Sequence, residues 1–347
     1  MDPPAPLGAA VNTNPKAQSP NPKRRVLARL FWVLGFGIWV LSATVPAAAA
    51  ERYAVVISGV SGGEKYAAQQ KQWREEMATF LTTGLAVPDA NLVVLDEDAA
   101  ESSTATAPNV RRVLGDLRRR VTAADTVLFV LLGHGTYDGI DAKFNLVGPD
   151  LSAVEWKTAL EGLPGRVIIV NTTESSFPFL EQLSARGRVV ITATDSASQR
   201  FATVFPEYFI RALVDRSSDF DKNGRVSILE AFNAASTGVK QHYEQRGQLS
   251  TERPLIDDDG DGTGREAGAP GADGTIAGTL YLDPEPGSQS RGDAEVAALE
   301  RERLVLEARL EALKARKSTM TEAEYQAELE RILIDLATIA QAIRQRS

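Results

Sequence analysis

From Arg52 onward, short runs of continuously apolar residues alternate with longer stretches whose apolar positions recur three and four apart. The runs at 53–58, 91–95, 126–132, 166–170 and 188–192 are too short for helices. The run at 126–132 is also too continuously apolar to leave one face in water, and 166–170 and 188–192 repeat its texture, which predicts buried strands of a parallel sheet. Between them, 65–81 sets Tyr66, Trp73, Met77 and Phe80 on one side of a helix, and 110–121, 151–163 and 177–184 predict three more. Strands alternating with helices predict an α/β fold of three layers, helices on both faces of a mostly parallel sheet joined by right-handed crossovers.

Past Thr194 the rhythm changes. Helices at 207–214 and 228–245 flank an acidic loop, a second acidic, glycine-rich stretch covers 257–274, and 279–282 predicts a short strand. Proline, glycine and serine mark 284–293 as a linker between a domain at 51–283 and a helical tail at 294–347. In the tail's second helix, Tyr325, Leu329, Ile332, Leu336, Ile339 and Ile343 alternate spacings of four and three, a heptad seam. The first helix carries Val296, Leu299, Leu306, Leu310 and Leu313, interrupted by Arg303. A helical hairpin folded on itself accounts for both stripes, and self-association or docking of a partner through the same coiled-coil seam is the alternative.

The first fifty residues change the expected location. Lys23, Arg24, Arg25 and Arg29 precede a mostly apolar run at 30–45, and four alanines at 47–50 precede Glu51. A basic region, a short apolar region and a small-residue cleavage site make up a secretory signal. Export to the periplasm or medium is therefore expected, with cleavage near Ala50. An uncleaved N-terminus would instead anchor the protein in the inner membrane, its basic side cytoplasmic.

Composition narrows the chemistry. A net charge of -8 gives no electrostatic support for nucleic-acid binding. Cysteine is absent, so disulfides, thiolate catalysis and thiolate metal sites are excluded. Of the two histidines, His242 sits in an amphipathic helix and reads as a surface residue, leaving His134 as the one with chemical promise.

His134 follows the strand 126–132 and is flanked by Gly133 and Gly135, so its ring is expected in a tight turn, exposed beyond a strand end where parallel sheets bind ligands. The next strand, 166–170, runs into Asn171, Thr172, Thr173, Glu174, Ser175 and Ser176. Together these residues resemble the caspase–legumain superfamily of cysteine peptidases, which carries His-Gly after one strand and a nucleophilic cysteine after the next. The legumain branch reads Glu-Ala-Cys-Glu-Ser-Gly-Ser there. Aligning Glu-Ser with Glu174 and Ser175 puts Thr173 in the nucleophile's place and Ser176 in that of the glycine of the oxyanion turn.

The resemblance spans about Arg52 to Tyr281 and implies a caspase-like fold with a peptide-binding groove. It implies a catalytic set of His134, Gly135, Thr173, Glu174 and Ser175, but the thiol is gone. A hydroxyl is far less acidic than a thiol and needs a positioned base, here His134, oriented by Asp138 or Glu174. A pseudo-peptidase that binds peptide or protein is the leading expectation. The alternatives are a hydrolase with a Ser or Thr nucleophile and a scaffold acting through its tail. The loop 194–200 would border the specificity pocket, with Asp195 and Arg200 as its charges.

A self-contained motif starts at Asp219. Counting from it, oxygen side chains fall at positions 1, 3, 5, 9 and 12 (Asp219, Asp221, Asn223, Ser227 and Glu230), with Gly224 at 6 and Val226 at 8. Those are the requirements of an EF-hand calcium loop, in which Arg225 would give its backbone carbonyl and Glu230 both carboxylate oxygens. A helix cap by Ser227 and Glu230 explains two of these residues and not the rest. Asp257, Asp259 and Asp261 with Gly262 form a looser second loop, whose position 12 is Gly268. It either recruits Glu266 or Asp273 to bind a cation or is a polar surface loop.

Overall fold

The computed structural model describes residues 50–283, 294–317 and 320–344. The expected leader up to residue 49 and the linker 284–293 lie outside the described residues. Element order is β1 (Arg52–Ser58), α1 (Glu64–Thr79), β2 (Leu92–Leu95), α2 (Ala107–Arg120), β3 (Thr126–Leu132), β4 (Gly135–Tyr137), β5 (Ala142–Phe144) and β6 (Leu151–Ser152). There follow α3 (Ala153–Leu160), β7 (Arg166–Asn171), α4 (Phe177–Leu183), β8 (Arg188–Thr192), α5 (Phe205–Val214), α6 (Ile228–Gln245), β9 (Leu255–Asp257), α7 (Ala294–Ala315) and α8 (Glu322–Arg344).

The main sheet has six strands in the order β2-β1-β3-β7-β8-β9. The first five are parallel and β9 is antiparallel to β8. Continuous apolar sequence is used here for two-sided burial. Leu128, Val130 and Leu132 of β3 face α1, α5 and α6 through Trp73, Met77, Phe209 and Phe232. Val127, Phe129 and Leu131 face α2, α3 and α4 through Leu114, Trp156 and Phe179. The two cores follow from chain direction. The chain steps outward from β1 to β2, then crosses back over β1 to β3 and on to β7 and β8. With right-handed crossovers, that reversal puts α1 on one face and α2, α3 and α4 on the other.

Local chemistry sets the helix ends, and it moves several of the expected ones. The Thr106 side chain accepts from Asn109 N–H, with Pro108 in the first turn, so α2 begins at Ala107 rather than 110. Ser152 and Glu155 form a capping box, starting α3 at Ala153. The preceding Leu151 and Ser152, expected in that helix, instead pair with β5 in a three-stranded antiparallel sheet, β4-β5-β6. Two further expectations are corrected. The edge strand β9 went unpredicted because only three residues pair, and 279–282 is no strand. It holds a 3-10 turn at Ala277–Thr279 and a single bridge between Tyr281 and Ser227.

In the tail, α7 and α8 pack on each other through Leu313, Tyr325 and Ile332, with Leu310, Met320, Leu329 and Leu336 around them. Arg309 reaches Glu328 across the pair at 3.4 Å. Tyr325, Leu329, Ile332 and Leu336 of the heptad seam thus pack within the hairpin, while Leu333 and Ile334 stay exposed. Among the described residues, no helix is long and apolar enough to cross a membrane.

Burial on both faces makes the central strands the least replaceable part of the fold. Phe129→Ala is expected to lower unfolding free energy by about 3–5 kcal/mol in chemical denaturation. Leu333→Ala, on the open face of α8, should change it by less than about 0.5 kcal/mol.

Candidate functional site

Strand order reverses between β1 and β3, so their C-terminal ends lead the chain to opposite faces, the place where open α/β sheets bind ligands. The loop after β1 and the turn after β3 border it and are tied together. Gly59 N–H donates to the Leu132 carbonyl at 2.9 Å, and Asn145 N–H to the His134 carbonyl at 3.0 Å. Gly135 has no room for a side chain, because a Cβ there would lie 2.7 Å from Thr173 Oγ1. The turn after β3 therefore rests directly on the segment after β7.

His134 Nδ1 lies 3.1 Å from Glu174 Oε1, and Gly135 N–H donates to Glu174 Oε2 at 3.3 Å. Tyr66 packs edge-on against the imidazole at 4.8 Å. The ring, expected to be exposed, is only 19% so. The Glu174 hydrogen bond, opposed by burial and helped by the Ser61 backbone, raises the His134 pKa above its ordinary value. Asp138, the other carboxylate considered for orienting His134, has a different task. It accepts from Ile140 and Asp141 N–H in the β4–β5 turn and pairs with Lys143 at 3.2 Å, which brings its pKa down to about 2.

The hydroxyls after β7 are buried: Thr173 and Ser176 at 0% exposure and Ser175 at 3%. Each has a protein partner. Thr173 Oγ1 donates to Asn171 Oδ1 at 2.9 Å, and that same oxygen accepts Thr173 N–H at 3.1 Å. Ser175 Oγ donates to the Gly135 carbonyl at 3.4 Å. Ser176 Oγ accepts the N–H groups of Ala193 and Thr194 at 3.1 and 3.2 Å and lies 3.0 Å from Thr194 Oγ1. Thr194 Oγ1 in turn donates to the Glu174 carbonyl at 3.0 Å, so the Ser176 proton goes to Thr194. Ser61 was not singled out in the sequence, Tyr66 stood only on a helix face, and Asn171 and Thr194 stood only as members of their segments. Asn171 alone had a local signal, as the polar residue ending an apolar strand. The two charges assigned to the neighbouring pocket do not meet, since Asp195 pairs with Arg253 at 3.6 Å and Arg200 is exposed.

Among the described residues, two acidic groups converge closely enough to hold a metal ion, Asp219 with Asp221 and Glu230, and Asp257 with Asp259 and Asp261, each within 4.8 Å. In the first, Glu230 Oε1 accepts the N–H of Phe220 and Asp221, at positions 2 and 3. Asp219 accepts Gly224 N–H at 2.9 Å, and Asp221 and Asn223 accept from positions 5 and 7. Lys222 and Gly224 both have left-handed backbone, φ 60 and 88°. Enclosure by the loop, then Glu230 and Asp219, push the Asp221 carboxyl up, the strain a bound cation would relieve. The Arg225 side chain points away, pairing with Asp283 at 2.7 Å over the Tyr281 ring.

The second loop repeats this bonding. Gly262 N–H donates to Asp257 at 2.7 Å, Asp261 N–H to Asp259 and Thr263 N–H to Asp261, with Gly260 and Gly262 both at φ 80°. Gly268 supplies no position 12. Asp273 makes the corresponding backbone bonds, accepting the N–H of Asp258 at 2.9 Å and Asp259 at 3.4 Å as Glu230 does at positions 2 and 3 of the first loop. Glu266, the other residue considered, is exposed. Burial and the Asp259 and Asp257 charges raise the Asp273 pKa. All side-chain donors in both loops are oxygens, a set that suits a hard cation.

No family model matches this chain, and neither does any curated protein. Among solved structures, it is similar to the crystal structure of protein GSU0716 from Geobacter sulfurreducens. The two are 13% identical over 67% of this chain and 98% of that one, with a TM-score of 0.38. A likeness at that score bears on neither mechanism nor substrate.

With only two histidines, the site can be followed directly by NMR. His134 is expected to titrate above about pH 6.5, the ordinary value, and His242, bonded to Tyr208 and lowered by burial, below it. Because the folded pKa of His134 is raised, its contribution to stability is complete below the unfolded pKa and disappears as pH rises through the folded one. Glu174→Gln should bring the His134 titration down and destabilise the protein more at pH 6 than at pH 9; an unmoved titration would disprove the pairing.

Proposed function

We propose that this chain is a caspase/legumain-like domain that has lost peptidase chemistry, a calcium-stabilised, exported pseudo-peptidase that holds a peptide or protein segment in the crevice beyond β1 and β3. The family reading is supported by the strand order and by His134-Gly135 and Glu174-Ser175 following the neighbouring strands β3 and β7. Loss of chemistry is carried by one observation: Thr173, Ser175 and Ser176 are buried and engaged with protein partners. Nucleophilic catalysis requires a hydroxyl within hydrogen-bond reach of its base and open to the substrate carbonyl. The Thr173 proton is directed at Asn171, and His134 Nδ1 at Glu174. What the crevice retains is a binding surface, in which Tyr66 and the His134 ring can contact a bound chain.

Calcium is the cation that suits both loops in an exported protein, as a structural staple of the segments that follow β8. When bound it supplies positive charge among carboxylates that otherwise repel. Asp219, Asp221, Asn223, Ser227 and Glu230 would hold the first ion, with Asp257, Asp259, Asp261 and Asp273 at the second.

Two measurements test this reading. The purified protein with calcium should leave a pooled peptide library uncut, as should His134→Ala and Thr173→Ala; turnover by the parent that both substitutions abolish would establish a hydroxyl peptidase instead. In calorimetric titration with calcium, Glu230→Gln should weaken the first site by at least the roughly 10–100-fold that losing an outer-shell partner costs. Asp273→Asn should weaken the second site, and Glu266→Gln should leave both unchanged. Absence of heat from the parent protein would remove calcium from the proposal.

A further inference from the structure

Away from the crevice, α1 and α5 leave a groove of ≈ 850 Å³ between them on one face of the sheet. Its floor is apolar: Trp73 and Phe80 from the α1 side, Ile210 and Val214 from α5. Trp73 and Ile210 belong to the core and Phe80 packs against it, while Val214 is 56% exposed and is the part of this apolar surface that the core leaves open. The upper wall is the π-helical turn Phe80–Gly84 that extends α1, a rare conformation that concentrates at functional sites. The rim is strongly one-signed. Glu75, Glu76, Glu207 and Asp215 line it against a single guanidinium, Arg211, which already pairs with Glu207 at 2.6 Å. Lys71 stands 3.9 Å from Glu75 on the outer side of α1, both side chains well exposed, too solvated to offset the rim.

We propose that this groove docks a basic amphipathic helix of a partner protein. A furrow between two helices seats a third through apolar side chains spaced three and four apart. Here those side chains rest on Val214 and the half-buried Phe80, above Trp73 and Ile210, and flanking Lys or Arg residues face Glu75, Glu76 and Asp215. Charge complementarity selects this occupant. The chain's own arginine-rich helix, α2, already buries its apolar stripe of Val110, Val113, Leu114 and Leu117 in the core, so a second copy would offer basic charge there without apolar side chains to seat. The site shares no residue with the crevice at His134 or with either acidic loop, and it stands whether or not the proposed function does.

The test uses the full chain and a fluorescein-labelled Leu/Lys amphipathic peptide about five helical turns long. Controls are its Leu/Glu counterpart and a scrambled peptide of the same composition. Anisotropy titration should show binding of the Leu/Lys helix alone, with a shift in Trp73 emission that Trp73→Phe removes. The double variant Glu75→Lys, Glu76→Lys and the single variant Val214→Asp, all at exposed positions, should each weaken binding about tenfold or more, with circular dichroism unchanged. Equal binding of the scrambled peptide, or affinity unaffected by either variant, would reduce the effect to general attraction between opposite charges and overturn the proposal. So would a dimer in sedimentation that Val214→Asp dissolves, since the occupant would then be a second copy.

Discussion

Burial of β1, β3 and β7 on both faces is the constraint from which the rest of this molecule follows. A strand with apolar side chains on either side has nowhere along its length to carry a polar group without an unpaired partner. Chemistry is therefore displaced to the strand ends. Parallel pairing gathers the C-terminal ends of five strands on one edge of the sheet. Reversal of strand order at β1 and β3 singles out one place along that edge, and the His134 turn and Ser61 meet there.

At that edge, the segment after β7 shows what burial demands of a hydroxyl. A buried hydroxyl must find partners, and leaving one unsatisfied costs about 1–3 kcal/mol. Asn171, Gly135, Thr194 and the backbone of Ala193 supply them. The same bonds that make the segment stable remove its hydroxyls from reach of an incoming carbonyl. His134 and Glu174 become a clasp between β3 and β7, forty residues apart in the chain. Stability and reactivity are opposed here through a single set of hydrogen bonds.

The acidic loops perform a comparable service beyond β8. Asp257 ends the antiparallel edge strand β9 and is also the first residue of the second loop. Ser227 of the first loop bridges Tyr281, and Ile228 N–H donates to the Leu280 carbonyl at 2.9 Å. Segments that place Ile228, Phe232, Ile256 and Leu280 in the core are thus fastened a second time at loops where carboxylates converge. Such convergence is unfavourable by charge alone and becomes favourable with a cation.

The sequence by itself determined the layered α/β architecture, because two-sided burial requires continuous apolar runs and helix packing requires a stripe; both are periodicities of neighbouring residues. It determined the absence of thiol chemistry and the spacing of the loop from Asp219 to Glu230, whose donors lie within twelve positions. Pairings between distant segments were left to the tertiary structure. Glu174 rather than Asp138 reaches His134, Asp273 rather than Glu266 closes on Asp258 and Asp259, and Leu255 to Asp257 become an edge strand while 279–282 do not. The ring of His134, placed in an exposed turn by its glycines, is covered by Tyr66 from α1. In each case local sequence offered equivalent candidates, and the choice fell to the one that the path of the sheet brought within bonding distance.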